Sequence, residues 1–215
     1  MADLGEWWYA LVAAADGAPA QFVRVESRRH PDHARVELSA AELAAQAGDD
    51  VVCVATYDED RVVRVQPAPT FAPKAPPLWF VEVRESSAQP PATSLVAFTG
   101  HGQRVGTVVD DADVSNLSVT SDDQLAAVRW YPATGEIDQI FVAAQWRRQH
   151  VGSALLISAG TLSLARGWPR LWSDGQRTVL GEHLRNSRAW AKSAAELTHI
   201  APPMSPGDPA GFTDA

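Results

Sequence analysis

The sequence predicts an α+β chain built in layers: a small β-rich domain with one helix, then a mixed, mostly antiparallel sheet flanked by helices. Three observations carry this. Short apolar runs recur with polar residues between them and turn-forming clusters at their ends, as strands require. One longer stretch, about Gln149 to Arg166, instead places Leu155, Ala159 and Leu162 on one helical face at spacings of four and three. Five prolines crowd Gln66–Pro77 (QPAPTFAPKAPP), and proline lacks the amide that a strand or helix interior needs. Residues 67–77 read as an extended linker. They separate a domain at 1–66 from one at 78–200, and 201–215 (APPMSPGDPAGFTDA) reads as a flexible tail.

In the first domain, Trp7–Ala13 and Gln21–Ser27 read as strands around Ala15-Asp16-Gly17-Ala18. Ser39 is a good N-cap for a helix over Ser39–Ala47. Glu42 holds the capping-box position, and Gly48 stops the helix. Val51–Thr56 and Arg61–Val65 form a second hairpin around Asp58-Glu59-Asp60. Trp7 and Trp8 read first as core rings, because aromatics dominate burial in small domains. His30 and His33 lie in a charged stretch and are too few for a metal site.

In the second domain, Leu78–Arg84 alternates as a strand. Ser94–Phe98 and Gln103–Val109 read as a hairpin across Thr99-Gly100-His101-Gly102. Gln124–Tyr131 and Glu136–Val142 form a clearer one across Pro132-Ala133-Thr134-Gly135. The helix that starts near Gln149 ends at Gly167-Trp168-Pro169. Arg170–Ser173 is a short strand, and about Thr178–Ser193 a second helix. Antiparallel strands followed by strand, helix, strand and helix make a layered domain with mixed pairing.

Composition narrows the function classes. Of 215 residues, 46% are hydrophobic, which excludes a disordered chain. A net charge of −8 argues against a general nucleic-acid binder and leaves room for a cationic substrate or partner. The one cysteine, Cys53, rules out an intramolecular disulfide and reads as a buried thiol. No apolar run reaches the roughly 18 residues of a membrane helix. The N-terminal residues lack the basic and apolar regions of a signal peptide. The expectation is a soluble, cytoplasmic protein without a membrane partner.

The most informative stretch is Ile137–Leu156, IDQIFVAAQWRRQHVGSALL. The chain leaves a strand, crosses a short loop and enters a helix with few bulky residues in its first turn. Amides of that turn lack intrahelical partners, and the helix dipole adds partial positive charge. A phosphate can accept those amides directly. Arg147 and Arg148 would add charge-assisted contacts, and Gly152 would let the backbone approach a ligand.

Arg147-Arg148-Gln149-His150-Val151-Gly152 resembles the acyl-CoA motif of the GNAT superfamily of N-acetyltransferases: Gln or Arg, two variable residues, Gly, one variable residue, then Gly or Ala. The preceding Ile140-Phe141-Val142 is similar to the family strand whose backbone pairs with the pantetheine arm. The following Ser153-Ala154-Leu155-Leu156 resembles the start of its helix. The resemblance spans roughly residues 78–193 and is strongest over 136–166. It implies a GNAT-like sheet and acetyl-CoA as acyl donor, with no metal. The pyrophosphate would lie on Arg147, Arg148, Gln149, His150, Val151, Gly152 and Ser153. One departure is His150, which stands at the first glycine position and would be strained if that site needs a positive φ. In the family's next helix an Asn contacts the cofactor, and a Tyr protonates the leaving thiolate. Asn186 fits the first role, but the second position holds Ser193, and no tyrosine follows Tyr131.

The resemblance also places the base. Many members carry a carboxylate four residues before the valine of the cofactor strand, which here is Asp138. Strand alternation puts Asp138, Ile140 and Val142 on one face, and Glu136 shares that parity nearer the turn. Asp138 is thus the first candidate for the catalytic base and Glu136 the second. His101 and His183 read first as exposed histidines. The implied activity is transfer of an acetyl group from acetyl-CoA to a primary amine, on a small molecule or a protein, by direct attack on the thioester. A homodimer is compatible with this. Two alternatives stand beside it: a non-catalytic acyl-CoA-binding or partner-binding module, and a phage-type GNAT-fold enzyme modifying nucleic-acid bases. The second would use a local basic surface such as Arg147, Arg148, Arg177, Arg185 and Arg188.

Overall fold

A computed structural model describes residues 6–15, 17–174, 176–177, 196 and 199–200. The expected helix at Thr178–Ser193 and the expected tail at 201–215 lie outside the described residues. The fold is α+β with two mostly antiparallel five-stranded sheets.

The first sheet has the order β3-β1-β2-β4-β5. Strands β1 (Trp7–Val12) and β2 (Gln21–Glu26) pair antiparallel, as do β4 (Val51–Asp58) and β5 (Arg61–Pro67). Both are hairpins expected from sequence. An added strand, β3 (Arg35–Leu38), runs parallel to β1. Helix α1 (Ala40–Ala47) follows, with the capping box between Ser39 and Glu42 formed. Trp7 and Trp8 are both buried and, as neighbours on a strand, enter different clusters on opposite faces of the sheet. Cys53 is fully buried, and desolvation pushes its thiol up to about 12.

The second sheet has the order β10-β9-β7-β6-β8. Its strands are β6 (Leu78–Glu85), β7 (Ala92–Thr99), β8 (Val108–Asp110), β9 (Ala126–Trp130) and β10 (Ile137–Val142). The hairpin expected between 94–98 and 103–109 does not form. Both sides of β7 are taken, by β6 and β9, so β8 adds to the outer side of β6, in parallel. The short strands β11 (Gln176–Arg177) and β12 (His199–Ile200) pair separately.

Helix α2 (Val151–Ala165) lies between the sheets. It packs on β2, β4 and β5 from one sheet and on β7, β9 and β10 from the other. Every residue from Val151 to Ser163 except Ser153 is buried. The sequence reading found one apolar face. The structure buries the remaining faces too, as expected for a helix apolar all round. Leu155, Leu156, Ile157 and Leu162 are each at most 2% exposed. Burial of such side chains contributes about 1.5–3 kcal/mol apiece.

The proline-rich segment, read from sequence as a linker between domains, is packed. Ala72 is buried, and Phe71 and Ala75 rest on the main core. The Ala68 amide donates to the Val52 carbonyl at 2.8 Å. That core joins residues on both sides of the segment, from Trp7 and Phe22 to Leu78 and Leu95. The sheets also touch directly, where the Val65 amide donates to the Gly106 carbonyl at 2.7 Å. A Cβ at Gly106 would stand 2.7 Å from the Val65 oxygen, so only glycine permits the approach. Limited proteolysis is therefore expected to leave 67–77 uncut in the native chain. A prompt cut there that releases a stable C-terminal fragment would restore two independent units. Among the described residues, no helix is long and apolar enough to cross a membrane.

Candidate functional site

The site is built on β10, the edge strand of the second sheet. Its start is fixed by Gly135, which has φ 75°. A Cβ there would lie 2.2 Å from the Arg170 carbonyl oxygen. Glycine lets the hairpin end and the segment after α2 meet. Ile137 N–H donates to the Trp172 carbonyl at 2.8 Å, and Trp172 N–H donates to the Gly135 carbonyl at 2.9 Å. This contact is a parallel bridge between Glu136 and Trp172. It realises the expected strand at Arg170–Ser173 as a brief pairing at the start of β10.

The register of β10 on β9 shifts between Ile137 and Gln139, so Asp138 sits in a β-bulge. The bulge breaks the alternation assumed from sequence. Ile137, Ile140 and Val142 pack on the core, and Asp138 does not share their face. Its side chain, 35% exposed, instead meets two groups from β9 and the residue after it. Arg129 Nη1 donates to Asp138 Oδ2, and the Tyr131 hydroxyl donates to Asp138 Oδ1 at 2.9 Å. Arg129 also grips Glu85 on β6, from Nε at 3.1 Å and from Nη2 at 3.0 Å. Those bonds hold the Glu85 carboxyl below its ordinary range and raise the Arg129 guanidinium. The bond to Asp138 raises the Tyr131 phenol, because a phenolate would face a carboxylate. Glu136, the second carboxylate, is half-buried. Its backbone accepts from Tyr131 N–H at 2.9 Å and bridges to Trp172.

Beyond β10 the chain makes a short 3₁₀ turn, Ala144–Trp146, and enters α2. φ is −68° at Arg147, 62° at Arg148 and 59° at His150, with Gln149 and Val151 outside the positive region. Arg147 is extended, with ψ 152°, and the two positive-φ residues after it turn the backbone sharply between β10 and α2. His150 is the N-cap of α2 in the left-handed region. The position does require positive φ, so histidine here is strained, at a cost of order 1–3 kcal/mol. The first amide of α2 to find a helical partner is that of Ala154, which donates to the His150 carbonyl at 2.9 Å. The amides of Val151, Gly152 and Ser153 precede it and have no intrahelical acceptor.

Side chains brace this loop. Arg147 Nε donates to the Val142 carbonyl at 3.0 Å, and Gln149 Nε2 donates to the Gln145 carbonyl at 2.8 Å. Arg148 and His150 are exposed at the rim, while Val151 and Gly152 are buried. On β10, Ile140, Phe141 and Val142 are half-buried. The structure thus brings residues 140–142 and 147–153 into one continuous strand, turned loop and helix start, with Asp138 and Glu136 at the far end of the strand. Asn186 lies outside the described residues. Sequence reasoning missed Tyr131, Arg129 and Glu85 as neighbours of Asp138. The spacing of Arg129 on β9 and Tyr131 just beyond its end, two apart, was the available signal. Among the described residues no group of three metal-ligating side chains comes together. No family model, no curated protein and no solved structure matches the chain.

Proposed function

We propose that this chain is an N-acetyltransferase that binds acetyl-CoA along β10 and passes its acetyl group to a primary amine. The observation that carries this is the sharply turned loop Arg147–His150 leading into the start of α2, whose first amides lack intrahelical acceptors, at the end of an edge strand. Pyrophosphate is a good occupant: it is dianionic, accepts several amides at once, and gains from the helix dipole. The pantetheine arm, which carries amides, extends along β10 toward Asp138. There the amine attacks the thioester carbonyl, and a carboxylate takes the amine's proton. Glu136 is the alternative base.

Calorimetry with acetyl-CoA tests the reading. Binding in the micromolar range is expected for the wild type, and none for Gly152→Asp, which sets a carboxylate where phosphate would sit. Absence of heat from the wild type at millimolar ligand would sink the proposal. A second reading, a non-catalytic acyl-CoA-binding module, is favoured by one observation: both oxygens of Asp138 are already engaged, by Arg129 and Tyr131. It predicts the same binding heat without release of free thiol across a panel of primary and nucleobase amines.

A further inference from the structure

The face of the first sheet that meets α2 carries a cluster of cations apart from the site on β10. Arg35 on β3, Tyr9 on β1 and Arg24 on β2 stand opposite one another in register. The Arg24 guanidinium stacks on the Trp7 ring, its Cζ 3.6 Å from the centroid. Its Nε is buried and has no hydrogen-bond partner among the described residues. Arg35 leans over the same face, its Cζ 5.9 Å from the centre of the Phe22 ring. Arg170 arrives from the segment after α2 and sets its Nη1 2.7 Å from His33 Nε2. Arg24 and Arg170 are half-buried, while Arg35 and His33 are exposed, so the cluster opens from the sheet interior to solvent.

The contact between Arg170 and His33 sets the hydrogens. A guanidinium only donates, so His33 Nε2 accepts and Nδ1 holds the ring proton. Nδ1 then donates to the Tyr9 oxygen at 3.2 Å, which leaves the hydroxyl hydrogen of Tyr9 for another acceptor. The carboxylates nearby do not balance the cations. Asp32 accepts from the Trp7 amide at 2.9 Å and lies 3.3 Å from His33 Nε2. Glu26, buried further along β2, attracts Arg24 less than Arg170 repels it. Burial draws the Arg24 guanidinium down to about 10, so it stays charged at neutral pH. A buried donor left unmet beside a like charge is costly, and an anion between the two arginines relieves both.

We propose that this junction of the first sheet with α2 binds the oxyanion of a small ligand, a carboxylate or a phosphate, through Arg24, Arg35, Arg170 and the Tyr9 hydroxyl. Guanidinium forks match either group two oxygens at a time. The site stands independently of the acetyl-CoA reading. The Arg24 end of it faces Gly160, whose Cβ, if present, would lie 3.6 Å from Arg24 Nη1. Gly160 is nine residues along α2 from Val151, or roughly 14 Å at about 1.5 Å each.

Calorimetry on the full chain at low ionic strength tests this, with sodium benzoate and inorganic phosphate as separate probes. Saturable binding of at least one is expected, and the probe that binds more tightly identifies the headgroup. Arg35→Gln and Arg170→Gln each remove one charge near the rim and should each weaken that binding about tenfold or more, the scale of one lost charge-assisted hydrogen bond. A thermal melt checks that both variants remain folded. Gly152→Asp should leave the binding unchanged, because it alters only the start of α2. No saturable heat from either probe at millimolar concentration would overturn the site. Binding that either arginine variant leaves intact, or that Gly152→Asp abolishes, would overturn it as well.

Discussion

Asp138→Asn is expected to slow acetyl transfer by about 10²–10⁴-fold, the usual scale of general-base catalysis, with acetyl-CoA affinity unchanged. The substitution keeps the shape of the side chain and removes its ability to hold a proton. The amide oxygen still accepts from Tyr131 or Arg129, and Arg129 keeps its bonds to Glu85. Fold and donor site should therefore survive, which calorimetry and a thermal melt would show. The rate measurement uses acetyl-CoA with the best acceptor from a panel of primary amines, read by release of free thiol. Glu136→Gln is the companion variant. If it abolishes turnover while Asp138→Asn retains it, the base is Glu136. If neither matters, the amine arrives neutral and the protein only positions it.

Arg166→Leu is expected to cost about 3–5 kcal/mol of stability, the cost of leaving a buried charge unpaired. Glu82, on β6, is fully buried, and both its oxygens accept from the guanidinium of Arg166, the residue that closes α2. Arg84 also approaches Glu82, at 3.4 Å, but its side chain is 53% exposed and far more hydrated. It cannot replace a two-pronged partner. Urea unfolding measures the loss. The double variant Glu82→Met with Arg166→Leu should recover most of it, because no buried charge then remains. A loss below about 1 kcal/mol in the single variant would mean that water reaches Glu82 and the pair holds little.

Local structure was legible where local chemistry decides it. The Ser39–Glu42 capping box formed as read, because both partners lie within one helical turn. The hairpins β1–β2, β4–β5 and β9–β10 also formed, since short turns leave their strands one antiparallel partner nearby. Longer-range choices were not legible. That β8 joins β6 in parallel depends on which strand sides are already taken, and no spacing records that. The single apolar face read for α2 understated its burial. A helix covered on all sides shows little contrast between faces, and its second cover comes from strands some hundred residues earlier. In the candidate site, the order of strand, loop and helix start was readable from Ile137–Leu156. The bulge at Asp138 was not, because one extra residue resets strand parity and leaves no mark in composition. For the same reason the grouping of Glu85, Arg129, Tyr131 and Asp138 emerged only from the fold.

The position of α2 has a consequence for how the chain comes apart. A helix covered by both sheets cannot be released by fraying from one side. Opening either sheet would expose apolar surface of Leu155, Ile157 and Leu162 along with the strands that cover it. Local opening is cheap only where little buried contact is lost. The amides of α2 should then exchange with solvent at the slow limit set by complete unfolding. The two sheets, each with its own strand ladder and joined at Val65 and Gly106, should share a single cooperative transition through the helix between them.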